Sequence, residues 1–363
     1  MERKKIAVIG LKGLPAFGGA ATVGENIIKQ LKEKYDFTVY AVESHANVGI
    51  LSEDYLQIVF KRFPLKKLNI FFYYLKSMLH CLFVARYDLI HLHHLDGAFI
   101  IPFLRLKYKV IVTSHGRPHL MGKWPWYVNL FFNINERVML KLSNKVTVVA
   151  FPLYEIYRGL GNANVEYIPN GINLNQPVSN SDIPYKDYIL FAAGRIIPLK
   201  GCHVLLEALK LMNYTGKVVV IGDLEQMPSY KEKLLNLAEG LDVTFISLIR
   251  DKAQLLNYVK NARLFVFPSD YENMSIMLLE VVYVKTPLIC SDIAPNKVIF
   301  SDDEVLFFKT NDASDLKEKI TFAIQNPKKM QAFMDKAFEL LKLKYNWESI
   351  AKTYDGVFEK YLN

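Results

Sequence analysis

Two glutamates, Glu272 and Glu280, bracket an apolar run in the stretch "SDYENMSIMLLE". At about 3.6 residues per turn, their separation leaves a residual rotation of roughly 80°, so they are not facing neighbours on one helix. The strand-like "ARLFVFP" stands directly before them. The spacing therefore predicts Glu272 on the loop after a strand and Glu280 inside the helix that follows. Both then lie beside a cleft at the carboxyl edge of a parallel sheet, where α/β proteins bind ligands.

A cationic pair precedes them. In "AAGRIIPLKGCHVLLEAL", Arg195 follows a strand pattern, and Lys200 stands beside Gly201 and a helix start. Arg as a planar fork and Lys as a point charge suit a diphosphate. Solvated surface charge is the plain alternative, but a cleft-edge loop flanked by Gly194 and Gly201 favours the ligand. Near the amino end, "GLKGLPAFGGAATVGENI" leads from the first strand into a helix. Its Gly10, Gly13, Gly18 and Gly19 permit tight turns and close backbone approach, and a helix amino end favours an anion. The spacing is neither G-x-G-x-x-G nor a P-loop, so a plain βα connection fits this loop as well.

His115, in "VTSHGRPH", ends a strand and is expected to point into the cleft. His91, His93 and His94 cluster in "HLHHLDG". His91 and His93 share a strand face, but no carboxylate or cysteine completes a convincing ligand set, so no metal site is expected. Cys81, Cys202 and Cys290 are scattered and odd in number, which suggests neither a disulfide framework nor a metal knuckle.

The elements that must hold these residues alternate. "KIAVIG", "FTVYAVE", "DLIHLHHL", "KVIVTS", "KVTVVA" and "VEYIP" read as strands, with helical stretches such as "ATVGENIIKQLKEK" and "LNIFFYYLKSMLHCLFVARY" between them. That is the βα alternation of a doubly wound parallel sheet. "IPNGINLNQPVSNSDIP" reads as a linker. The alternation then restarts with "YILFAAG", "KVVVIG", "VTFIS", "LFVFPS" and "PLICSD". The fold class expected is α/β, with two Rossmann-like domains facing a cleft: 1–172, 173–345, and a terminal helix at 346–363. Trp347, Ile350, Tyr354, Val357 and Phe358 lie near one face of that helix and predict packing back on the N-terminal domain.

The order of the glycine-rich first loop, "GRIIPLKG" and "ENMSIMLLE" resembles the retaining GT-B glycosyltransferases of family 4. "GLKGLPAFGGAATV" is similar to the first loop of bacterial rhamnosyl- and N-acetylglucosaminyl-type members that build cell-surface polysaccharides. The likeness runs along nearly the whole chain. Its most specific element is Glu-x7-Glu with "FVFPS" before it and "TPLICSD" after it.

The resemblance implies that Glu280 binds the ribose hydroxyls of a nucleotide-sugar donor and that Glu272 lies near the donor sugar. The backbone N–H groups of Asn273, Met274 and Ser275, with Gly18 and Gly19, face sugar and phosphate. Arg195 and Lys200 stabilise the departing diphosphate, and His115 positions a sugar or acceptor hydroxyl. No Asp-x-Asp occurs, so neither a metal nor any other cofactor is expected; a helix amino end and two cations suffice for the phosphates. UDP is the favoured nucleotide, and a glycan or polyprenyl-linked molecule the acceptor. Departures from the pattern are Ala20 and Ala21 after the paired glycines, Lys285 where glycine is usual, and "IGDLEQ" without a second glycine. The first bears on acceptor contacts, the others on loop shape. A nucleotide-sugar epimerase of the same fold is the rival enzyme. An NAD-dependent oxidoreductase lacks its glycine spacing, with only Glu43 as a ribose contact.

Charge is uneven. Residues 1–170 carry 22 Lys and Arg against 12 Asp and Glu, and 51–150 carry 14 against 5, while the remainder after 170 is nearly balanced. An anionic partner is implied for the first half. No nucleic-acid recognition module is visible, so no nucleic acid is expected. Lys61, Arg62, Lys66 and Lys67, with aromatics from Trp124 to Phe132, suit an anionic membrane surface. For the helix from Leu68 to Tyr87, core packing and membrane contact stand even. No apolar run is long enough to span a bilayer, and "MERKKIAVIG" holds no cleavage site, so a cytoplasmic, peripheral location is expected.

Overall fold

A strand covered by helices on both faces is a near-continuous apolar run, because both of its side-chain rows are buried. "IAVIG" meets that demand. In the computed structural model, which describes residues 3–15, 19–46, 52–65, 68–121, 124–161 and 164–362, it lies inside a seven-stranded sheet, third from one edge. The strands are β1 (Lys4–Lys12), β2 (Tyr35–Val42), β3 (Leu56–Phe60), β4 (Leu89–His93), β5 (Lys109–Ser114), β6 (Lys145–Val148) and β7 (Val165–Tyr167). Their order is β3-β2-β1-β4-β5-β6-β7, parallel throughout.

Alternation of side chains splits this sheet into two cores. Ala7, Ile9, Ile90, Leu92, Val110 and Val112 face one layer of helices, with Tyr73, Tyr74 and Met78 from the helix Asn69–Phe83. Ile6, Val8, Phe37, Val39, Leu89 and Ile111 face the other, with Val23, Ile27 and Ile28 from the helix Gly19–Leu31.

The second sheet has six parallel strands: β8 (Ile189–Arg195), β9 (Val218–Asp223), β10 (Val243–Ile246), β11 (Leu264–Phe267), β12 (Leu288–Ser291) and β13 (Leu306–Phe308). Their order is β10-β9-β8-β11-β12-β13. In each sheet the order reverses beside the first strand, β1 or β8, and the loops leaving the two strands there diverge to open a crevice. The edge strands β3 and β13 escape the sequence reading. β3 is partly exposed and β13 is only three residues long, so neither gives a clear buried run.

Met1–Asn170 and Trp347–Asn363 form one compact unit, and Gly171–Asn346 the other. The helix Trp347–Leu362 completes the first unit. Trp347, Ile350, Ala351, Tyr354, Val357 and Phe358 join the core that faces the helix Gly19–Leu31. Lys34 Nζ reaches both Asp355 and Glu359 at 2.6 Å, and the Tyr35 hydroxyl donates to Asp355. Tyr361 donates to the Asn144 carbonyl at 2.9 Å. Phe358 is fully buried and meets Tyr35 edge-on. All three tryptophans belong to this unit, so their fluorescence reports its unfolding alone. Phe358→Ala is expected to destabilise the unit by about 3–5 kcal/mol, read as a lower urea midpoint in tryptophan fluorescence. An unchanged midpoint would remove the helix from the cooperative core.

Candidate functional site

The carboxyl ends of β8 and β11 flank the crevice of the second sheet, and the motif residues gather there. β8 ends at Arg195, whose side chain is exposed and makes no ion pair or hydrogen bond among the described residues. The chain then makes a single 3₁₀ turn, Pro198–Lys200, and Gly201 opens the helix Cys202–Leu211 in the left-handed region at φ 69°. A Cβ at Gly201 would stand 2.0 Å from the carbonyl oxygen of Pro268, just beyond β11. No side chain fits that gap, so the two loops touch only because residue 201 is glycine.

The contact is secured at either side. The Asp270 N–H donates to the Leu199 carbonyl at 3.1 Å, and Lys200 Nζ lies 2.5 Å from Glu272 Oε1. Below them, the Ser291 hydroxyl donates to the Ser269 carbonyl, and Asn296 Nδ2 donates to the Ser291 carbonyl at 2.9 Å. The floor of the loop is therefore hydrogen-bonded to β12, which is in turn bonded to the helix Ala294–Ile299. Residues far apart in sequence become one cationic and acidic cluster.

Beyond Glu272 the chain passes through half-buried Asn273 and buried Met274 to Ser275, which caps the helix Ile276–Tyr283. The Ser275 side chain makes no capping bond, leaving the first-turn N–H groups without a side-chain acceptor. Glu280 is in the second turn of this helix and is buried. Its Oε1 lies 2.5 Å from Lys252 Nζ, on the first turn of the helix Lys252–Lys260. Burial pushes the Glu280 carboxyl above the usual carboxylate range, and the Lys252 ammonium opposes that shift. Lys252 is the residue that sequence reasoning missed. "RDKAQ" reads as a helix start, yet nothing in it signals a partner on another helix.

The first unit gathers a different set. Gly10 has φ 106°, and a Cβ there would lie 2.0 Å from the His93 carbonyl oxygen. Its N–H donates to the buried Tyr73 hydroxyl at 2.7 Å, which fixes the first bend of the glycine-rich loop. Gly19 opens the helix Gly19–Leu31 with open space around its Cβ position. Gly18 lies outside the described residues.

His115, just past β5, brings Nε2 to 3.1 Å from His93 Nδ1, and His91 Nε2 lies 2.8 Å from the Thr113 hydroxyl. Burial holds these imidazoles neutral: His91 is lowered to about 3 and His94 to about 4, while His93 and His115 fall well below the ordinary value. A neutral His115 donates or accepts a hydrogen bond at neutral pH but takes up a proton poorly. Lys12 pairs with Asp96 at 3.0 Å, and Tyr74 donates to the same carboxylate. Among the described residues no group of three or more His, Cys, Asp or Glu is arranged to hold a metal ion.

Two surface grooves of about 690 and 720 Å³ lie on the first unit. Arg3, Tyr35, Asp54 and Tyr87 are among the residues lining one, and Arg117, Glu136, Arg137 and Lys141 among those lining the other. Neither includes any of the predicted site residues. The convergence of charged side chains at the β8 and β11 loops is the stronger guide to chemistry than groove volume. Gly201→Ala is expected to cost roughly 1–3 kcal/mol through left-handed strain and collision with the Pro268 carbonyl. Calorimetry should find the second unit melting lower, and an unaltered melt would mean that the loops part freely.

Comparison with known proteins follows the same division. Residues 178–340 match the glycosyl transferases group 1 family, and residues 17–176 match glycosyltransferase family 4. An N,N'-diacetylbacillosaminyl-diphospho-undecaprenol alpha-1,3-N-acetylgalactosaminyltransferase from Campylobacter jejuni is 21% identical over 92% of this chain and 94% of its own. Sucrose-phosphate synthase from Thermosynechococcus elongatus superposes with a TM-score of 0.84 at 20% identity, covering 99% of each chain. The Anabaena protein HepE, solved in complex with UDP-glucose, superposes at 0.79 with 16% identity, covering 99% of this chain and 100% of that one. With a family 4 first half, a group 1 second half and two parallel Rossmann-like sheets, the chain is a glycosyltransferase of the GT-B type.

Proposed function

We propose that this glycosyltransferase is a retaining enzyme of surface polysaccharide synthesis, moving a sugar from a UDP-sugar to a glycan or polyprenyl-linked acceptor. The observation that carries the reading is the Lys200–Glu272 pair joining the loops after β8 and β11, with Arg195 at the end of β8 and Glu280 in the helix that follows β11. The UDP-glucose bound by HepE and the diphospho-undecaprenol in the Campylobacter relative's name support the donor and acceptor classes.

Each residue has a role set by its charge. The ionised Glu280 accepts from the ribose hydroxyls. Glu272 and the backbone N–H groups of Asn273 to Ser275 orient the sugar and its phosphate. As the anomeric carbon–oxygen bond breaks, negative charge grows on the diphosphate, and Arg195 and Lys200 stabilise it. The acceptor oxygen bonds to the anomeric carbon on the same face, and its proton passes to the leaving phosphate oxygen. Neutral His115 positions a hydroxyl. No metal takes part in this scheme.

The first unit offers a surface for a lipid-linked acceptor. The helix Asn69–Phe83 divides the two sequence readings: Tyr73, Tyr74 and Met78 enter the core, while Phe71 and Phe83 stay exposed. Phe71 stacks on Phe99 at 5.0 Å, and Phe99 lies 6.0 Å from Phe131. Trp126, at 76% exposure, and Tyr127 extend the aromatic surface along the helix Trp126–Leu142. Lys61 and Arg62 are exposed before the helix Asn69–Phe83, while Lys66 and Lys67 lie outside the described residues. No described helix is long and apolar enough to cross a membrane. Aromatics flanked by cations fit the headgroup region of an anionic bilayer.

Glu280→Gln is expected to weaken UDP binding roughly 10-fold or more, since a hydrogen bond to a charged group contributes about 1.5–3 kcal/mol. Arg195→Ala and Lys200→Ala should lower kcat more than they raise KM, because the charge they meet develops in the transition state. Turnover should persist in EDTA; a strict divalent-ion requirement would sink the metal-free scheme.

A sedimentation assay tests the membrane surface. Binding to anionic vesicles should fall with added salt, and charge reversal at Lys61, Arg62, Lys66 and Lys67 should abolish it while sparing turnover of a soluble acceptor. Failure of the wild type to bind such vesicles at low salt would leave the basic face to an anionic acceptor.

A further inference from the structure

Lys252 occupies a position that helix electrostatics disfavours. It is the first residue of the helix Lys252–Lys260, where the aligned peptide dipoles leave partial positive charge and an ammonium group is repelled. Asp251 supplies the favourable charge at that end, accepting from the Ala253 N–H at 2.9 Å and the Gln254 N–H at 3.3 Å. The lysine therefore gains nothing from its own helix. Its interaction lies across the gap, 2.5 Å away at Oε1 of Glu280.

We propose that Lys252 is a positioning residue for the nucleotide: it holds Oε1 of Glu280 and so presents the second oxygen, Oε2, as a charged acceptor to the ribose hydroxyls. The inference rests on the reading of Glu280 as the ribose ligand and names what keeps that ligand fit for use. The asymmetry of the pair supports the division of labour, since the Glu280 side chain is 4% exposed and that of Lys252 is 48% exposed. One end is fixed in the protein and the other stays open to solvent.

Neighbouring charges do not substitute for Lys252. Glu272, nearest in sequence on the loop before the helix, is committed to Lys200. The helix Pro327–Lys344 also packs against Ile276–Tyr283, but its Asp335 pairs with Lys285 at 2.7 Å. Asp251 caps its own helix. No other charged side chain among the described residues pairs with Glu280.

The sign of the pH effect follows. Burial favours the neutral form of a carboxylic acid, and an adjacent cation favours the charged form. With Lys252 present, Glu280 accepts hydrogen bonds through its ionised form. With Lys252 replaced by an apolar residue, the carboxyl takes up a proton at higher pH, and nucleotide affinity is lost as pH falls and regained as pH rises.

Isothermal titration of UDP, GDP and ADP into the whole chain, from about pH 5.5 to 8.5, tests this. Each variant is read as its ratio to wild type at the same pH, which cancels ionisation of the ligand's own phosphate. Lys252→Met should bind the preferred nucleotide about 10-fold more weakly at the acid end and recover towards wild type at the alkaline end. Lys252→Arg should stay near wild type throughout. Glu280→Gln should be weak at every pH, with no recovery. A Lys252→Met ratio that is flat with pH, whether near one or uniformly low, overturns the positioning role while leaving Glu280 in place. If Glu280→Gln binds as well as wild type, or the wild type binds no nucleoside diphosphate, the ribose reading itself falls.

Discussion

The loop arrangement at the carboxyl edge of the second sheet depends on an absent atom. Because residue 201 has no Cβ, the loop leaving β8 lies against the Pro268 carbonyl, and the chain ends of β8 and β11 meet. The hydrogen bond from Asp270 to Leu199 and the Lys200–Glu272 pair are formed across that contact. The order of cause matters here. A partly exposed Lys–Glu pair contributes about 0–1 kcal/mol and cannot hold two loops together alone. The backbone contact brings the loops together, and the ion pair then sets the orientation of groups already in place.

Charge at the site is divided with a remainder. Glu272 is matched by Lys200, and Glu280 by Lys252. Arg195 has no acidic partner among the described residues. An unmatched guanidinium there favours an anion, and its planar fork suits phosphate oxygens. His91, His93, His94 and His115 of the first unit add no positive charge at neutral pH, because burial disfavours the imidazolium. The basic character of that unit rests on its lysines and arginines, many of them exposed.

Much of this was legible in the order of residues. Parallel strands buried on both faces are unbroken apolar runs, so "KIAVIG", "KVVVIG" and "LFVFPS" declare themselves, and the glycines and charges after them fall at strand ends. The face of the last helix was readable from Trp347, Ile350, Tyr354, Val357 and Phe358, because helical periodicity survives in a short amphipathic segment. Other features were not. Edge strand β3 buries too little to enforce a pattern, and β13, though buried, is only three residues long. The partnership of Lys252 with Glu280 joins two helices, and the Gly201–Pro268 contact joins two loops; neither leaves any local periodicity. The helix Asn69–Phe83 is apolar on nearly all sides, so composition alone did not divide its buried tyrosines from its exposed phenylalanines.

The path of the chain has a consequence for biosynthesis. The first unit is built from residues at both extremes of the sequence, with the whole second unit between them. As the polypeptide emerges from the ribosome, the face formed by Ile27, Ile28 and Phe37 lacks the part of its cover that the helix Trp347–Leu362 supplies until that helix has been made. The second unit, contiguous in sequence, has all its residues earlier and is free to complete its own core first. The usual amino-to-carboxyl order of domain maturation is thereby reversed at the final step. The amino-terminal unit begins before the second and is completed after it, part of its apolar face open in between.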